Sequence, residues 1–124
     1  MAVHTASFYQ PQHWVGHPFR VSRQHPRGRK TQWNTLPFFY PPRDLLKAYR
    51  SDSLDFDKLC QAYMALLEGA YSQDPELQRW MKEAPGLGDF TLLCFEREDR
   101  TCHRRPLARW LQEKAPTLQL GFLR

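Results

Sequence analysis

Acidic residues are nearly absent from the first fifty positions, where Asp44 stands alone against eight Lys and Arg. Long apolar runs are absent throughout: none approaches the roughly 20 residues a helix needs to span a bilayer, so no membrane partner is expected. The opening residues Met1 to Phe8 have neither the basic region nor the long apolar region of an export signal, which makes the cytoplasm the expected location. Cysteine is scarce and odd in number, three in 124 residues. That pattern points to reduced thiols, not a disulfide framework. No C-x-x-C pair occurs, so the spacing of Cys94, Cys102 and His103 predicts no metal site. Walker and Rossmann glycine patterns, internal repeats and low-complexity tracts are missing too. No cofactor is indicated.

What is present is aromatic and basic. The length suits one domain, residues 1–124, with a modest core, and 17 Phe, Trp and Tyr supply large burial per side chain. The net charge of +5 is uneven: residues 1–50 carry +7, residues 51–100 carry −6 and residues 101–124 carry +4. If the two basic ends meet in the fold, they make a positive face suited to phosphate or nucleic acid. Solvated charge that simply varies along the chain is the plainer alternative.

Residues 2–8 read as a first strand. Residues 9–40 are irregular, broken by Pro11, Gly16, Pro18, Pro26, Gly28 and Pro37, with a short strand expected over 20–24. The aromatic content of this stretch argues for a packed or ligand-facing loop. Helical spacing follows over 43–50 and 56–71, with Ser53 or Asp55 as the cap of the second helix. Asp74-Pro75 starts a third helix. Phe90 to Glu96 reads as a buried strand, residues 103–114 as a helix and residues 118–123 as a closing strand. Strand, helix, strand in that order implies a right-handed parallel unit, hence a small α/β domain whose short, mostly parallel sheet is flanked by helices.

The 89–124 unit delivers a thiol, an imidazole and guanidiniums to a helix start just beyond a strand end, where α/β folds bind ligands. Cys102, beside His103, Arg104 and Arg105, is the candidate nucleophile, since positive charge and the helix dipole favour thiolate. His103 is a candidate base or acid, and Glu96 a second proton carrier. Cys94 and Glu96 share a face of the strand. Each residue also has a structural reading: Cys102 as filler of the junction, Glu96 as an ion-pair partner, Cys60 as core. The basic loop of Ser22, Arg23, Arg27 and Gly28 offers anion clamps or a solvated surface.

The run Leu92-Leu-Cys94-Phe-Glu96, followed by Cys102-His103-Arg104 and Ala108-Arg-Trp110-Leu111, resembles the domain-of-unknown-function 488 family. Ser22-Arg23, Pro26-Arg27-Gly28, Leu45-Leu46 with Tyr49-Arg50, and Phe56 with Tyr63 match it in the same order. The chain departs from the pattern at Ala6, where the family's usual residue before Ser7 is Gly. The resemblance implies an α/β domain with a polar set suggestive of catalysis: Ser7, Ser22, Arg23, Cys94, Glu96, Cys102, His103 and Arg104. It brings no substrate. The leading reading is a small enzyme acting on a phosphate-bearing substrate, nucleotide or nucleic acid. A noncatalytic nucleic-acid module, using loop 20–30, helix 103–114 and Trp14 or Trp33 as stacking platforms, is one alternative. A thiol redox sensor built on Cys94 and Cys102 is the other.

Overall fold

The computed structural model describes residues 1–96 and 102–124; the charged stretch 97–101 lies outside the described residues. Five strands form one sheet: β1 (Ala2–Ser7), β2 (His17–Arg20), β3 (Asn34–Thr35), β4 (Phe90–Cys94) and β5 (Gln119–Leu123). Their order is β3-β2-β4-β1-β5, and every pairing is parallel. Four α-helices accompany them: α1 (Arg43–Arg50), α2 (Phe56–Gln73), α3 (Pro75–Glu83) and α4 (Arg104–Lys114). Among the described residues, no helix is long and apolar enough to cross a membrane.

β4 is central and buried along its whole length, which is why Phe-Thr-Leu-Leu-Cys shows no alternation. Phe90 and Leu92 point to the main core with Val3 and Phe19, beneath Leu67 of α2, Leu77 of α3 and Leu107 and Leu111 of α4. Leu93 points the other way and joins Ala6, Phe8 and Trp33 in a smaller cluster, with Trp14 and Phe95 against it. The second face is therefore covered by aromatics of the 9–40 segment. Trp33 lies 4.8 Å from Phe8, and Trp14 Nε1 donates to the Ser7 carbonyl at 2.9 Å.

The strand expected over residues 20–24 forms earlier, over His17–Arg20. Val21 N still donates to the Leu93 carbonyl, but Ser22 then closes a turn by donating Oγ to the Gln24 carbonyl, which ends the pairing. Asp55, not Ser53, caps α2 by accepting from Lys58 N at 2.8 Å. Asp74 caps α3 ahead of Pro75, as its sequence predicts. Gly16 is required where it stands: its φ is +67°, and a Cβ there would overlap the Asp89 carbonyl.

Candidate functional site

The site gathers at the carboxyl edge of the sheet, over the ends of β2 and β4. Cys94 is the last residue of β4 and faces the helical side with Phe90 and Leu92. Cys102 and His103 lead into α4, with His103 as its N-cap residue. His103 Nε2 lies 2.8 Å from the Val21 carbonyl, just past the end of β2. A carbonyl only accepts, so Nε2 carries a hydrogen and Nδ1 faces the sulfurs. Nδ1 is 3.7 Å from Cys102 Sγ and 3.9 Å from Cys94 Sγ. The Tyr63 ring, from α2, packs nearly perpendicular to the imidazole at 5.4 Å between centroids.

The two thiols are buried and titrate in opposite directions. Burial pushes the Cys102 thiol up, but a hydrogen bond from Cys94, the charge and hydrogen bond of His103 and the charge of Arg104 outweigh it. Cys102 is left well below the ordinary thiol range. Cys94 is raised well above that range because it donates to Cys102, is buried and would share its space with a second negative sulfur. The pair therefore gives up its first proton more readily than its second. Arg104 is fully buried in the first turn of α4, its Nε donating to the Arg124 backbone oxygen at 2.8 Å. A guanidinium at a helix N-terminus opposes the macrodipole, a local mismatch that an adjacent thiolate offsets.

Both sulfurs and the imidazole line a cavity of about 620 Å³. Its remaining wall comes from the Ser22–Gln24 turn, from Phe95 and Glu96, and from α1 and the start of α2. Among the described residues, four cations face it, Arg23, Arg43, Lys47 and Arg50, against the single carboxylate of Glu96. The family model for the domain of unknown function DUF488 matches residues 7–111, which takes in the strand, both cysteines and the imidazole. The chain belongs to the DUF488 family. No curated protein and no solved structure matches it.

Of the residues singled out by sequence, Cys94, Glu96, Cys102, His103, Ser22 and Arg23 line this one cavity, and Arg104 is buried beside the thiols. Ser7 and Arg27 are not part of the lining. Ser7 Oγ donates to the Phe95 carbonyl and accepts from Tyr9 N, each at 3.2 Å, so it ties the end of β1 to β4. Arg27 is exposed. The sequence reading passed over Arg43, Lys47 and Arg50 as a set. Their spacing, i, i+4 and i+7 on one short helix, is the signal that marks a single cationic stripe.

Proposed function

We propose that this protein is a thiol-dependent enzyme for a small phosphate-bearing substrate. The observation that carries the reading is the meeting of a buried Cys102–His103–Cys94 cluster with four cations in one cavity. In this reading Cys102 is the nucleophile, and the thiol hydrogen of Cys94 and the His103 imidazole hold its negative charge. His103 Nδ1 and Glu96 move protons. Arg23, Arg43, Lys47 and Arg50 bind the anionic group of the substrate. Ser22 shapes the turn that brings Arg23 to the cavity. The volume suits a mononucleotide-sized ligand, at the middle of the range for small-molecule pockets. A nucleic-acid module needs exposed stacking rings, whereas Trp33 is 7% exposed and Trp14 is engaged with Ser7. That burial favours the small-ligand reading.

The test compares alkylation by anionic iodoacetate and neutral iodoacetamide, resolved by mass spectrometry over Cys60, Cys94 and Cys102. An ordinary thiol reacts more slowly with the anion. The expected outcome is that Cys102 alone inverts this preference, that salt or inorganic phosphate removes the inversion, and that Cys102→Ser abolishes it. Equal behaviour of Cys102 and Cys60 would reject the reading.

A further inference from the structure

Sequence spacing predicts no metal here, yet folding brings three soft donor atoms together. Cys94 Sγ, Cys102 Sγ and His103 Nδ1 all lie within 4.8 Å of one another. For zinc bonds of about 2.3 Å to sulfur and 2.0–2.1 Å to nitrogen, a tetrahedron has S···N edges of about 3.6 Å. The two observed S···N separations are 3.7 and 3.9 Å, close to that edge, and the two sulfurs, within 4.8 Å of each other, would close toward the S···S edge of about 3.8 Å around an ion. The outer contact fits as well. His103 donates Nε2–H to the Val21 carbonyl, the backing that fixes a ligating imidazole with its other nitrogen toward a metal.

We propose that Cys94, Cys102 and His103 form a three-ligand site for a zinc-type divalent cation, with the fourth position open to the cationic cavity. Three protein donors and one open position distinguish reactive or regulatory zinc sites from closed structural ones. Charge supports an anion in that fourth place. Arg23, Arg43, Lys47 and Arg50 line the cavity that the open position faces. Binding forms two S–metal bonds and one N–metal bond, and releases to water the thiol proton of the cysteine pair together with any proton that His103 carries on Nδ1. The cation also occupies the lone pair of Cys102 Sγ, so loading the site silences the nucleophile. Only this last consequence rests on the thiolate reading above; the binding does not.

The experiment is a Co²⁺ titration of the reduced whole protein without oxygen, followed by displacement with Zn²⁺. One equivalent of Co²⁺ should give the intense d–d bands of a tetrahedral site and a thiolate-to-cobalt charge-transfer band. Cys60→Ser should retain both, whereas Cys94→Ser and Cys102→Ser should weaken the charge-transfer band and bind at least tenfold less tightly. Absence of one-equivalent binding to the unaltered protein overturns the site whatever the variants do, as does an undiminished charge-transfer band in both variants. Zinc should slow iodoacetate labelling of Cys102 at least tenfold, and a chelator should restore it. Selective labelling without cobalt binding removes the metal and leaves the nucleophile. Cobalt binding without selective labelling of the metal-free protein does the reverse.

Discussion

Tyr63 donates its hydroxyl to the Phe39 carbonyl and packs its ring nearly perpendicular to that of His103, so one side chain ties α2 both to the core and to the imidazole. Tyr63→Phe keeps the ring and leaves the carbonyl unpaired in a buried place. The expected cost is about 1–2 kcal/mol in equilibrium denaturation, with Cys102 labelling unchanged. His4 is one residue through which stability follows pH. Burial lowers its pKa, with Arg124 and the amino terminus adding to the effect and Asp89 opposing it. Its Nδ1 accepts from Phe122 N at 3.0 Å, a bond that protonation destroys. The folded state therefore favours neutral His4. Its contribution is complete above the unfolded value near 6.5 and is lost as pH falls from there through the folded pKa. The protection factor of the Phe122 amide should fall over that descent, and His4→Ala should flatten the dependence. Gly16→Ala combines a left-handed backbone with a clash on Asp89. It should lower the melting temperature by several degrees, consistent with at least ~1–2 kcal/mol.

Among the elements, α1 is the one whose composition disagrees with its own stability. Arg43, Lys47 and Arg50 repel one another along one side, and among the described residues none of them forms an ion pair. Replacing all three with Gln should leave folding unchanged or better by about 0.5 kcal/mol in a urea melt, because like charges at i, i+4 are removed. The same variant should lose the preference of Cys102 for iodoacetate. Helices α2, α3 and α4 were legible because apolar spacing, Asp caps and Pro75 act locally. β4 was legible because a strand buried on both faces is apolar at nearly every position, its one hydroxyl, Thr91, being paired with the Val15 backbone. The two-residue β3 and the early start of β2 were not, since neither carries a run long enough to show periodicity, and their pairing is decided by neighbours far away in the chain. The thiol–imidazole cluster was legible as adjacency at a helix start. Arg27 was read into the cavity and Arg43 left out because a turn's direction, unlike a helical repeat, is not written in its spacing.

At the scale of the molecule, the sheet is made of distant partners. Val3 pairs with Phe90, Ala2 with Gln119, and Phe19 with Leu92, so the chain's beginning is held between its last third and its final strand. Such non-local parallel pairing slows folding. In refolding from denaturant, Cys102-selective labelling should appear in the same phase as native fluorescence, because Cys94, Val21 and His103 meet only when β2, β4 and α4 are all in place. A single earlier phase carrying selective reactivity would contradict that. The consequence reaches into synthesis. A ribosome that has exposed residues 1–96 presents Cys94 with neither the second sulfur nor the imidazole, an ordinary thiol on a chain whose central strand still lacks its helix. The chemistry of this protein is acquired only once the segment carrying Cys102, His103 and α4 has emerged, and until then Cys60 and Cys94 are as open to stray oxidants and metals as the thiols of any unfolded chain.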